Sequence, residues 1–139
     1  SITINANEFC PKTSLTDGTH KIVYSRLGGR LRVAGTAEFA GYNQSINEKR
    51  VAPIIKAAQT LFPKADWTQD IKKWGCIRPQ TPDGPPILGR TPFKNLFLNT
   101  GHGTLGWTQA AGSAFAVADI IENKKPSIMM QGLTLERYM

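Results

Sequence analysis

The chain has 139 residues, of which 40% are apolar and 19% charged, with a formal net charge of +7. That length gives one domain or a piece of a larger one, with enough apolar residues for a core. It contains no run of eighteen apolar residues to span a membrane, and its first residues do not read as a signal peptide.

The start at Ser1, without an initiator methionine, leaves room for sequence upstream. Lys49-Arg50, Lys72-Lys73 and Lys124-Lys125 are isolated pairs, and basic residues do not alternate with aromatics. The positive charge therefore reads as a solvated surface, and no nucleic-acid partner is expected. Cys10 and Cys76 fit no metal spacing. They read as free thiols of a reducing compartment, with a bridge between them as the alternative.

The first third reads as β. Lys21 to Arg26 is a strand pattern, Gly28-Gly29 a turn signal, and Arg30 to Gly35 alternates polar and apolar residues as a half-buried strand does. A hairpin follows, with Thr36 to Gly41 extending its second arm. Val51, Ile54, Ile55, Ala58, Leu61 and Phe62 then recur on one helical face. Asn47 suits the N-cap and Glu48 the first turn. Pro53 cannot donate to the carbonyl of Lys49, so either the helix starts after Asn47 or its first turns are loosened. Pro63 ends it.

Asp70 to Pro79 forms a further strand. Pro79, Pro82, Gly84, Pro85 and Pro86 make a rigid, irregular loop, and Leu96 to Leu98 is a short apolar strand. A helix runs from about Thr104 to Glu122, with Asn123 and Lys124-Lys125 suited to its end and Pro126 as a stop. Gly106, Ala110, Ala111, Gly112, Ser113, Ala114, Ala116 and Ala118 make it small on nearly every side. Such a helix lies close against neighbours, and this chain offers few. Ser127 to Met139 reads as a loosely attached tail.

Two stretches carry chemistry. In the first, a strand enters the turn Thr100-Gly101-His102-Gly103-Thr104-Leu105-Gly106-Trp107-Thr108, which opens the last helix. The glycines permit close backbone approach, and the first helical amides lack internal partners and carry the positive end of the dipole. Such a turn receives an anion, or a group that gains negative charge. A tight turn without a ligand is the alternative. No lysine follows as in a phosphate loop, and Gly101, Gly103 and Gly106 spell G-x-G-x-x-G without the β-α-β unit of a dinucleotide fold.

In the second stretch, Arg78 ends an apolar strand before the proline-rich loop. A stiffly mounted guanidinium suits bidentate capture of a carboxylate; pairing with Asp83 is the alternative. His102 has no nucleophile beside it for a triad, and His20 reads as an exposed turn residue.

Trp74 to Gly89 followed by Asn95 to Thr108, with the hairpin from Gly29 to Glu38, resembles the D-amino acid dehydrogenase flavoproteins, within the FAD-dependent amino acid oxidoreductases that include glycine oxidase and sarcosine oxidase. The likeness runs from about Ile22 to Met139. Here Cys76-Ile77-Arg78 replaces the Gly-Leu-Arg usual before the proline, which alters the size of the adjacent pocket.

The resemblance implies an α+β fragment. Residues 1–90 would be the C-terminal half of a substrate-binding domain with antiparallel strands. Residues 91–139 would be the closing strand and C-terminal helix of a Rossmann-like FAD-binding domain. It implies FAD as cofactor, Arg78 as the group that grips the substrate carboxylate, and Gly101, His102, Gly103, Thr104, Leu105, Gly106, Trp107 and Thr108 against the flavin ring. No catalytic side chain is required if the neutral amine reacts.

The implied reaction converts a D-amino acid and an acceptor into a 2-oxo acid, ammonia and reduced acceptor. The implied partners are a respiratory electron acceptor and the missing N-terminal part of the same polypeptide, which carries the glycine fingerprint. The implied location is the bacterial cytoplasm or the periphery of the inner membrane. This chain alone is then expected to be inactive. Two other readings remain: an oxygen-using amine oxidase of the glycine or sarcosine oxidase type, and a non-catalytic basic binding module.

Overall fold

A computed structural model describes residues 1–69 and 71–139. The chain divides into two compact units, Ser1–Ile77 and Arg78–Met139. It is a mixed α/β chain with antiparallel sheets and a C-terminal helix.

In the first unit, strands β1 (Ile2–Asn5), β2 (Leu15–Asp17), β3 (Ile22–Leu27), β4 (Arg30–Ala34) and β5 (Lys72–Lys73) form one sheet in the order β2-β3-β4-β1-β5. The expected hairpin is β3 and β4, in antiparallel register with Tyr24 opposite Val33. The register of β1 on β4 sets Ile2 opposite Val33 and Ile4 opposite Leu31. Period-two alternation therefore puts Ile2, Ile4, Ile22, Tyr24, Leu31 and Val33 on one buried face.

Helix α1 (Glu48–Leu61) covers that face with Val51, Ile54 and Ala58. Burial of a side chain the size of Val51 or Ile54 stabilises by about 1.5–3 kcal/mol. Asn47 caps the helix, its side chain accepting from the Lys49 amide at 3.1 Å. Pro53 does not delay the start. The Asn47 carbonyl accepts from both Arg50 and Val51, at 3.0 and 3.1 Å, a shared bond common at helix ends. Phe62 closes the helix, its amide reaching the Ala58 carbonyl at 2.9 Å, and its ring meets Tyr24 edge-on at 5.2 Å.

Two local expectations change. Thr36 to Gly41 does not extend β4. Arg50 of α1 instead binds Thr36 Oγ1 at 3.0 Å, the Ala37 carbonyl at 2.8 Å and Glu38 at 3.1 Å, which draws the segment to the helix. Of the strand expected from Asp70 to Pro79, Asp70 lies outside the described residues, and only Lys72–Lys73 pairs, with β1. Cys10, buried, and Cys76, exposed, are both free thiols, as expected.

In the second unit, β6 (Ile87–Arg90) and β7 (Phe97–Thr100) form an antiparallel pair. The expected strand at Leu96 to Leu98 is thus shifted two residues toward the C-terminus at its far end. The pairing of β6 with β7 keeps the Pro79 to Pro86 loop within this second compact unit. After β7, a single 3-10 turn (Gly103–Leu105) leads into α2 (Gly106–Ile121).

Helix α2 ends as its sequence indicates. Asn123 takes positive φ at 59°, its amide bonds the Ile120 carbonyl, and the Lys124 amide reaches back to Asp119 at 2.7 Å. These paired bonds are the left-handed closure that glycine or asparagine permits. Arg90 of β6 adds bonds at 2.7 Å to the Ile120 carbonyl and to Asn123 Oδ1.

Candidate functional site at the start of the last helix

The Gly101 to Thr108 turn and the chain from Arg78 to Thr81 are laced together. The Gly103 amide donates to the Pro79 carbonyl at 3.0 Å, and Gln80 forms an antiparallel bridge with His102. Gly103 has φ of 56°, and a Cβ there would lie 3.6 Å from the Gln80 side chain. Gly101 has φ of 80°, and a Cβ there would meet the Thr81 methyl at 2.6 Å. Thr81, itself buried, donates from its hydroxyl to the Pro85 carbonyl at 2.7 Å. Arg78 therefore leaves the turn by a backbone fixed at the next two residues.

Arg78 is exposed. Among the described residues no carboxylate lies within ion-pair distance of it. Asp83, its candidate partner within the loop, is taken by Arg137, whose Nε lies 2.7 Å from Asp83 Oδ2, and by the Tyr138 hydroxyl. These donors, Arg137 first, lower the Asp83 carboxyl to about 2.

The tail is consequently not loose. Arg137 also donates to the carbonyls of Pro85 at 2.6 Å, Pro86 at 3.1 Å and Thr134 at 3.1 Å, and the Leu88 amide binds the Leu133 carbonyl at 2.7 Å. A guanidinium carries five donors, so Arg137 ties the tail to the Asp83 to Pro86 loop at several points.

No side chain caps either the 3-10 turn or α2. Thr104, Leu105, Trp107 and Thr108 are exposed; Trp107 is 95% exposed. Gly106 packs against His102, whose Cβ lies 3.5 Å from where a Gly106 Cβ would stand. The His102 ring turns inward, with Nε2 2.9 Å from Ser113 Oγ. Gln109 Oε1 is buried without a hydrogen-bond partner, a group that a ligand or further chain would satisfy. Among the described residues no cluster of three metal-ligating side chains occurs.

The structure thus ties the backbone that follows Arg78 to the Gly101 to Gly103 end of the turn, and adds Gln80, Thr81, Ser113 and Arg137 to these surroundings. Gln80 and Thr81 belong to the same motif and could have been included. Ser113 lies eleven residues beyond His102 and carries no local signal, and Arg137 meets Asp83 across 54 residues of sequence.

The family described as FAD dependent oxidoreductase matches residues 3–120. The chain belongs to that family. It is similar to a D-amino acid dehydrogenase of Paramagnetospirillum magneticum, with 46% identity over 138 residues, covering 99% of this chain and 33% of the relative. It is similar also to D-amino acid dehydrogenase 1 of Mesorhizobium japonicum, with 45% identity over 139 residues, covering 100% of this chain and 33% of the relative. The chain spans about a third of the length of these curated relatives. Among the described residues no helix is long and apolar enough to cross a membrane.

Proposed function

We propose that this chain supplies the substrate-facing and flavin-facing end of an FAD-dependent D-amino acid dehydrogenase whose remaining two-thirds is further polypeptide. The observation that carries the reading is the bond from the Gly103 amide to the Pro79 carbonyl. It keeps the Arg78 backbone beside a helix start whose amides no side chain caps.

These features suit a ligand with a polar edge. The glycines leave the backbone open to close approach, and the dipole at the start of α2 favours an edge that gains negative charge. Gly101 to Thr108 would lie against the flavin. Bound FAD would supply a hydride acceptor for the substrate α-carbon.

The chain's own residues would do the rest. The Arg78 guanidinium, free of any described carboxylate, would bind the substrate carboxylate through two parallel bonds and fix the α-hydrogen toward the acceptor. Trp107 and the turn would exclude water from that contact. No side-chain base is assigned, because a substrate entering with its amine neutral has no proton to surrender before hydride loss.

In this reading residues 1–90 belong to a substrate-binding domain and residues 91–139 to the closing strand and helix of a Rossmann-like FAD domain. The electron acceptor would be respiratory, at the cytoplasmic periphery of the inner membrane. The apolar side of α2, where Trp107 and Phe115 are 95% and 73% exposed, would be covered by the rest of the polypeptide.

The test compares two proteins. Extended at its N-terminus to the length of its relatives, the protein is expected to purify with stoichiometric FAD and to reduce a dye with D-amino acids. The 139-residue chain is expected to be colourless and inactive. A stoichiometric yellow cofactor on the short chain would contradict this, as would oxygen serving the long protein as efficiently as the dye.

A further inference from the structure

Ser113 lies two turns into α2 with only 6% of its surface exposed. Its Oγ meets His102 Nε2 at 2.9 Å, and it has no other hydrogen-bond partner among the described residues. A helical serine often returns its proton to the carbonyl four residues back, as Thr60 does to Lys56 at 2.9 Å in α1. Ser113 makes no such bond to Gln109. A buried hydroxyl keeps its proton in a hydrogen bond when an acceptor is within reach, and His102 Nε2 is that acceptor.

The bond at one ring nitrogen determines which nitrogen holds the proton. If Ser113 donates to Nε2, the neutral imidazole must carry its proton on Nδ1. Nδ1 has no protein partner among the described residues, and the ring is half-buried. It therefore offers a donor to whatever acceptor lies against the turn. In water an unconstrained histidine prefers the opposite form, with the proton on Nε2. The arrangement is thus a specific one and can be detected.

We propose that Ser113 is a positioning residue that holds His102 in the Nδ1–H form and presents this N–H to an acceptor atom of the ligand bound at the Gly101 to Thr108 turn. The ligand half of this rests on the flavin reading above; the Ser113 half does not. Charge is not needed. A neutral, oriented donor binds an acceptor without requiring the ring to take up a proton at working pH.

The chain has only two histidines, His20 and His102, so a long-range proton–nitrogen spectrum of the labelled full chain at neutral pH resolves both. His102 is expected to show the pattern of a proton on Nδ1. Ser113→Ala, which suits a helix, is expected to invert the majority form to Nε2–H, and Ser113→Thr to restore Nδ1–H. An Nε2–H form in the unaltered chain, or no change in Ser113→Ala, overturns the role of Ser113 and leaves the flavin reading intact. Adding FAD to the labelled full-length apoprotein is expected to shift the Nδ1 signal of His102. An unmoved signal while FAD is bound overturns the ligand half alone; failure of FAD to bind overturns the flavin reading.

Discussion

The two units bury themselves to different degrees. In the first, three neighbouring strands align inward residues in register, and α1 closes over them; Ile2, Tyr24, Leu31, Val33 and Ala58 are fully buried. In the second, α2 packs Ser113, Ala116 and Val117 inward and leaves Trp107, Phe115 and Ile121 exposed. Those three, with Ala111, Ala114 and Ala118, share one helical face. A surface helix of a complete domain turns such a face inward. The first unit closes a helix over its sheet and leaves Phe39 and Tyr42 exposed in the segment between them, whereas the second leaves one face of its helix exposed and carries the uncapped turn and Arg78.

The sharpest way to break this comparison is a pair of truncations. Leu31→Ala in the first unit is expected to cost about 2–5 kcal/mol in urea unfolding of the chain. Trp107→Ala in the second is expected to stay within about 0.5 kcal/mol, since almost nothing touches that ring. A large loss from Trp107→Ala would mean that α2 is already covered.

A smaller effect is expected at the turn. Gly101→Ala places a methyl group onto Thr81 at a positive φ, and is expected to cost about 1–3 kcal/mol in the same measurement. A neutral result would show that the turn is not held as described.

The smallest effect concerns the tail. Arg137 and Tyr138 depress the Asp83 carboxyl to about 2. Its contribution is therefore present above the unfolded value of about 3.9 and lost as pH falls through about 2. Nuclear magnetic resonance of the tail is expected to show it loosening over that window. Asp83→Asn is expected to loosen it at neutral pH and to remove the acid step. The pair is solvent-exposed, so global stability is expected to change little.

Much of this was legible in the sequence. The β3–β4 hairpin followed from alternation around Gly28-Gly29, and Asn47 and Asn123 marked helix ends because each supplies a specific local bond. The strand-turn-helix at Gly101 was also clear, since its signals lie within a few residues. What was not legible depends on distant partners. Thr36 to Ala40 has strand-like residues, but Arg50 provides bonds that the sheet does not. The tail looked loose because its anchor, Arg137, finds Asp83 and the Pro85 and Pro86 carbonyls only in three dimensions. The alternative pairing of Arg78 with Asp83 could be set aside only once that competitor was seen. The family resemblance supplied the role of Arg78; spacing alone could not.

Arg78 and the helix-start turn are proposed to line one reaction chamber. This is tested most directly by steady-state kinetics of Arg78→Ala in the full-length protein with a D-amino acid and a saturating dye. Loss of a charged hydrogen-bonded contact of about 1.5–3 kcal/mol corresponds to a rise in KM of about one to two orders of magnitude, with FAD content unchanged. An unaltered KM would contradict the account.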